Sequence, residues 1–233
     1  MSDFIFPPAT VASLPVRGSA QRYAVQRIFC VARNYAAHAR EMGYDPDREP
    51  PFYFSKNPAH LLAAGGTMAY PQGTGNCHYE MELVVALGQA VPANATPEQA
   101  ATAVWGYACG LDMTRRDLQA AARDSGKPWD FAKDFEQSAV LGELVPVSAS
   151  GVLEAGRIAL SVNGQVRQQG DLRDMIWRVP EIIANLSQYY HLQPGDLIYT
   201  GTPEGVGPVQ PGDHLRGEIE GVGAIELTIA PRR

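Results

Sequence analysis

The chain has 233 residues, 45% hydrophobic and 19% charged, enough for one substantial core or two small ones. Its formal net charge is −6, with no basic tract of the kind that tracks a phosphate backbone, and no apolar run approaches a membrane span. A soluble protein acting on small molecules, with neither nucleic acid nor membrane as partner, is the expectation.

Three scattered cysteines, Cys30, Cys77 and Cys109, form no CxxC and read as reduced thiols of a cytoplasmic protein. The opening "MSDFIFPPATVASLPVRG" lacks the basic and apolar regions of a signal peptide. Residues 1–24 are expected to form an N-terminal extension packed on a core of residues 25–233.

"RIFCVA" is the first short β-branched run. "NYAAHAREMG" (34–43) follows, with an Asn to cap a helix, an Ala-rich body and a Gly to stop it. His38 and Glu41 are three apart and share a face of that helix. A carboxylate beside an imidazole fixes its tautomer and raises its basicity, as a general base requires. The same spacing also describes an exposed ion pair of little consequence.

In "HYEMELVVALG" (78–88), Glu80 and Glu82 precede a wholly apolar run. Alternation along a strand puts both carboxylates on one face, where burial and mutual repulsion are costly. Two solvated acids at a strand edge are the plain alternative. "TPEQAATAVWGYACGLD" opens as a helix, with Thr96 as cap and Pro97 at its first position, and ends on Asp112 after an apolar run. Three carboxylates without an obligatory His or Cys suit a hard cation, Mg²⁺, Mn²⁺ or Ca²⁺, whose charge offsets their repulsion.

"TRRDLQAAARDSG" (114–126) reads as a short helix ended by Gly126. Lys133 lies between Phe131 and Phe135 in "WDFAKDF", a setting that either desolvates an ammonium or lets it snorkel along an apolar surface. Lys127 is a weaker candidate beside a turn. Asn163-Gly164 in "SVNGQVRQQG" signals a hairpin. "GDLRDMIW" (170–177) is a candidate lid or wall, and "VPEIIANLSQYYHLQPGD" (179–196) a Pro-started helix. After the strand "DLIYTG", the turn "YTGTPEGVGP" lacks the GK[ST] of a phosphate loop, but its amides and the Thr200 and Thr202 hydroxyls suit a carboxylate. "HLRGEIEG" and "AIELTIA" close the chain as strands. Short strands mixed with few helices, without a βαβ rhythm, indicate one β-rich α+β domain with a mostly antiparallel or mixed sheet.

Together, "FCVARNYAAHAREMG", "HYEMELVVALG", "GYACGLDMTRRDLQ", "KPWDFAKDFEQSAVLG", "SVNGQVRQQGDLRDMIW" and "GDLIYTGTPEGVGPVQPGD" resemble the fumarylacetoacetate hydrolase family, in the family's order, from about residue 25 onward. One departure is Ala32, where relatives carry Gly before the "RNY" turn. The resemblance implies a mixed β-sandwich roll, a homodimer and Mg²⁺. Residue by residue, it implies Glu80, Glu82 and Asp112 as metal ligands, His38 and Glu41 as the dyad that activates water, and Lys133 as the lysine that meets a developing enolate. It further implies Arg33, Arg116, Gln119 and Thr202 near the bound carboxylate or the metal's substrate side, with Lys56 at the mouth. The nearest members are bacterial acylpyruvate hydrolases of aromatic catabolism. The expected reaction is cleavage of a 2,4-diketo acid, fumarylpyruvate foremost. Oxaloacetate decarboxylation, isomerase or hydratase chemistry, and a non-catalytic binding module are the alternatives.

Overall fold

The computed structural model describes residues 4–41, 49–63 and 66–232. Met42 and Gly43, the expected end of the first helix, fall outside the described residues. So do residues 1–3 and Arg233.

Two mixed sheets dominate. The larger runs in the order Phe52–Lys56, Arg27–Ala32, Asp196–Tyr199, Met81–Leu87, Val104–Asp112, Ala139–Leu141, Leu61–Ala63, with Val145–Pro146 also paired to Val104–Asp112. The second runs Gln165–Asp171, Arg157–Val162, His214–Ile219, Gly223–Ala230, Gly66–Ala69. Antiparallel pairs prevail, but Asp196–Tyr199 runs parallel to Arg27–Ala32 and Ala139–Leu141 parallel to Leu61–Ala63. This is the β-rich α+β roll that the short, turn-bounded runs indicate.

The Met81–Leu87 strand explains the apolar run after the glutamates. Every residue in it is buried. Met81, Leu83, Val85 and Leu87 join one core with Ile158, Leu160, Leu215 and Ile225 of the second sheet. Val84 and Ala86, on the other face, join a second core with Leu14, Ile28, Leu197 and Tyr199. A strand covered on both faces loses the polar alternation of a half-exposed one. Each large apolar side chain so buried contributes about 1.5–3 kcal/mol. Leu14 comes from the short Ser13–Pro15 strand, which pairs with Arg22–Ala24, whereas Phe4, Ile5 and Phe6 are exposed.

The helices are shorter than the sequence suggests. The Thr96 side chain and Gln99 form a capping box, but the helix they open, Pro97–Ala101, ends after five residues. The rest of that segment is the Val104–Asp112 strand, because pairing with Met81–Leu87 overrides local helix propensity. Val179–Leu186 is likewise the first half of its expected span. Arg116–Asp124 starts two residues late, Thr114–Arg115 being a strand against Cys77–Tyr79. Asn163 and Gly164, both at positive φ (50° and 77°), make the expected hairpin turn.

Candidate active site

Antiparallel register brings the acids together. Met81 faces Leu111 and Glu82 faces Gly110, so Glu80 and Asp112 meet one step further on, where the Asp112 amide donates to the Glu80 carbonyl at 2.9 Å. Glu80, Glu82 and Asp112 are all buried, and each offers a carboxylate oxygen within 4.8 Å of the other two.

Cations balance these charges. Lys133 Nζ donates to Glu80 Oε2 (2.6 Å), Asp112 Oδ2 (2.6 Å) and Thr114 Oγ1 (2.7 Å). Arg116 Nη2 donates to Glu80 Oε1 at 2.5 Å, and its Nη1 to Gln119 Oε1. Lys56 Nζ lies 2.8 Å from Asp112 Oδ1, off the direction of a hydrogen bond, and donates to the Met113 and Lys133 carbonyls. Burial alone would raise the Glu80 carboxyl, but Lys133, Arg116 and His38 outweigh it and hold it well below the usual range. Glu82 has no such cation in contact. Burial, then Asp112 and Glu80, push its carboxyl well above normal. Burial would lower the Lys133 ammonium, but Asp112 and Glu80 prevail and raise it.

Lys133 is therefore desolvated, though not by the neighbours its sequence context suggests. Phe131 is exposed, and Phe54, on an adjacent strand, is the ring beside Lys133 Nζ (4.8 Å). Phe135 instead lies under Lys56 and Arg115. Lys56 also departs from expectation. It does not stand at the mouth of the site; it is 2% exposed, because Phe52–Lys56 is a sheet strand that aims it at Asp112 from behind.

The turn "YTGTPEGVGP" binds carboxylates, but they are the protein's own. Gly201 N donates to Glu82 Oε2 at 2.6 Å. Gly201 has φ +99°, and a Cβ there would sit 2.7 Å from Asn34 Cβ, so no other residue fits. Gly205 N donates to both oxygens of Glu41 (3.2 and 3.1 Å). Thr200 Oγ1 donates to the Leu83 carbonyl, and Thr202 Oγ1 accepts from Gln168 Nε2.

His38 and Glu41 lie on the six-residue helix Ala36–Glu41, with Nδ1 3.2 Å from Glu41 Oε2. Glu41 raises the imidazole's basicity as expected, and so does Glu80. Burial of His38 is the larger effect, so its pKa falls below the usual 6.5. The helix enters through Arg33, at φ +59°, and Asn34. Asn34 donates to the Trp177 and Thr200 carbonyls and accepts from Trp177 N, tying "GDLRDMIW" to the glycine turn behind the helix. Ala32, the departure from the family pattern, keeps φ negative.

His38, Glu80, Asp112, Arg116, Gln119 and Thr202 line one cleft, together with Arg33, Lys133, Phe54, Arg123 and Trp129. Sequence reading missed several supporting groups. His78, beside the glutamates, takes an Nε–H contact from Arg116 at 3.4 Å, and burial and Arg116 hold it down to about 4. Gln168 accepts from Met81 N and braces Thr202. Thr114 and Gln168 carry no local pattern, and Asn34, expected as a helix cap, ties Trp177 to Thr200 instead, because these partners lie across the fold.

The donor set suits a hard divalent cation. Its oxygens are all carboxylate, Asp112 Oδ1 is buried without a directed hydrogen bond, and Glu82 faces two like charges.

Comparison with known proteins fits this site. The profile "Fumarylacetoacetate (FAA) hydrolase C-terminal" matches residues 27–230. The chain is 55% identical over 188 residues to a fumarylpyruvate hydrolase of a Ralstonia species, covering 80% of this chain and 96% of that one. It is 38% identical to an oxaloacetate tautomerase of Escherichia coli (strain K12), covering 88% and 93%. Among solved structures, a fumarylpyruvate hydrolase from Pseudomonas aeruginosa in complex with Mn²⁺ and pyruvate superposes with a TM-score of 0.95, at 48% identity over 99% of this chain and 100% of that one.

Proposed function

Because the chain belongs to the fumarylacetoacetate hydrolase family, we propose that it hydrolyses the C3–C4 bond of an acylpyruvate, fumarylpyruvate foremost, to pyruvate and the corresponding acid, fumarate in that case. One observation carries this reading: of three clustered, buried carboxylates suited to a hard cation, two line the same cleft as a buried histidine that pairs with Glu41.

Glu80, Glu82 and Asp112 would hold Mg²⁺ or Mn²⁺. When bound, the cation supplies Lewis-acid polarisation of a 2-oxo acid and neutralises charge that develops on it. Lys56, Lys133 and Arg116 contact Glu80 and Asp112, three cations against two of the three acids, so with the cation bound the site would carry surplus positive charge and select an anion. Arg33, Gln119 and Thr202 bind substrate around it. Lys56 supports Asp112 from behind.

His38 is the general base. Its Nδ1–H donates to Glu41, which leaves Nε2 to take a proton from water. Burial keeps the ring neutral, the form that accepts a proton. The hydroxide attacks the 4-carbonyl, and the C3–C4 electron pair passes to C3 as the pyruvate enolate. The Lys133 ammonium places positive charge beside that enolate. The imidazolium proton then goes to C3, which completes pyruvate.

The test supplies the Mg²⁺- or Mn²⁺-loaded protein with fumarylpyruvate, acetylpyruvate and oxaloacetate and follows pyruvate release. Cleavage of acylpyruvates that stops on chelation is the expected result; no pyruvate from either acylpyruvate overturns the reading. The oxaloacetate arm tests the second readings: decarboxylation would release pyruvate, whereas keto–enol tautomerisation, which the 38% identity to an oxaloacetate tautomerase favours, releases none and is followed instead by the decay of enol absorbance.

By family resemblance the working unit is a symmetric dimer, and light scattering that finds a monomer at working concentration contradicts this. Three buried free thiols suit the reducing cytoplasm. No helix among the described residues is long and apolar enough to cross a membrane.

A further inference from the structure

We propose that Arg123 forms a subsite for a second carboxylate, at the far end of the acyl chain, and so selects dicarboxylic acylpyruvates over neutral ones. The proposal rests on the acylpyruvate reading above.

The helix Arg116–Asp124 is the reason. Arg116, Gln119, Ala120 and Arg123 stand at i, i+3, i+4 and i+7, and all four line the cleft. The inner end of this face is fixed, because Arg116 is paired with Glu80 at the acidic cluster. Arg123 is two turns further out, about 10.5 Å along the axis at 1.5 Å per residue. Ala120 between them is small and leaves the floor open.

The substrate's length fits this ruler. The two carboxylate carbons of fumarylpyruvate are six bonds apart, which spans about 7.6 Å if three bonds advance about 3.8 Å, as between successive Cα atoms. An arginine head group in contact beyond the last carbon makes up the difference. With its 2-oxo acid end at the cluster, the far carboxylate reaches Arg123 rather than Arg116.

The two lysines of the inner site are committed to its acids. Lys133 holds Glu80 and Asp112, and Lys56 lies on Asp112. Arg123 Nε donates to Asp124, but that pair is solvent-exposed, 40% and 67%, and is weak enough for an incoming carboxylate to displace. The intervening wall is aromatic. Trp129 is half-buried, edge-on to Phe52 with ring centroids 4.9 Å apart and 6.1 Å from Phe54. A flat, conjugated acyl chain suits such a wall, and a guanidinium binds carboxylates bidentately.

The experiment measures kcat/KM of the Mn²⁺-loaded protein for fumarylpyruvate and acetylpyruvate, in the parent, Arg123→Gln and Arg123→Lys. The ratio of the two values should fall about tenfold or more in Arg123→Gln, the worth of one charge-assisted hydrogen bond, and recover in part in Arg123→Lys. An unchanged ratio, or equal losses on both substrates, overturns the proposal. A binding arm separates it from the reading beneath it: calorimetry of fumarate added to protein loaded with Mn²⁺ and pyruvate. If the parent cleaves neither acylpyruvate, but fumarate binds and Arg123→Gln alone abolishes this, the hydrolase reading falls and the subsite stands. Fumarate binding that is equal in all three proteins overturns the subsite.

Discussion

The three clustered acids and the proposed base, His38, are held in different ways. Glu80, Glu82 and Asp112 are fixed by strand register, on segments buried between two sheets, with cations and an amide on their oxygens. His38 stands on six helical residues, and the side chain that orients it is held by the Gly205 amide and by His38 itself. A cluster of like charges needs a rigid frame, because any outward drift lowers its energy and loses the site. A base that carries a proton to and fro needs only to be kept neutral and aimed. Damage to the acidic cluster should therefore abolish metal binding, whereas damage to the helix should spare it and affect the chemistry.

The largest effect expected is for Glu82→Ala. It removes a proposed ligand and relieves the repulsion that a cation would offset, so Mn²⁺ binding by calorimetry and nearly all acylpyruvate cleavage should vanish together while the fold survives. Full activity of chelator-treated protein would sink the metal assignment.

Next is His38→Ala. A positioned general base contributes about 10²–10⁴-fold, so fumarylpyruvate cleavage should fall at least about a hundredfold, with Mn²⁺ affinity little changed. Any turnover of oxaloacetate should suffer less, since it needs no attacking hydroxide. Equal losses on both substrates would show that His38 does not act on water.

These two residues were visible in the sequence for different reasons. Glu80 and Glu82 stood out because two acids led into an apolar strand, and the structure brings them to Asp112 by pairing that strand with the one Asp112 ends. His38 and Glu41 stood out through helical spacing, which the helix keeps. Strand runs such as "RIFCVA" and "DLIYTG" match observed strands closely, since β-branched runs between turn residues carry their own signal. What pairwise reading could not give was set by distant partners. The burial of Lys56, the ring beside Lys133 and the net fall in the His38 pKa all depend on which strands become neighbours. The helix that gives way to a strand after Ala101 has the same cause.

Gly201→Ala probes the frame without touching a ligand. The added Cβ meets Asn34 and the backbone leaves φ +99°, which displaces the amide on Glu82. Loss of such a supporting contact typically costs about 10–100-fold in metal affinity. Mn²⁺ titration should show a loss in that range, with activity restored at saturating metal. Unchanged affinity would mean that Glu82 is held by its strand alone.

The smallest effect is the most diagnostic, because rate and pH profile move in ways that a merely structural change would not reproduce. In the proposed mechanism His38 acts as a neutral base, so activity should be present above its pKa and lost as the pH falls through it. Burial sets that pKa below 6.5, with Glu80 and Glu41 opposing. The acid limb of kcat/KM, which reports the free enzyme, should therefore lie below pH 6.5. Glu41→Gln keeps an oxygen for the Gly205 amide but removes a negative charge from the imidazole. Removing an opposing influence lets burial act further, so the limb should move to lower pH. The same loss deprives the imidazolium of its counter-charge in the transition state, so the plateau rate should drop, by about tenfold, well short of the loss in His38→Ala. A limb that stays fixed or moves to higher pH in Glu41→Gln would mean that Glu41 shapes the helix without tuning His38.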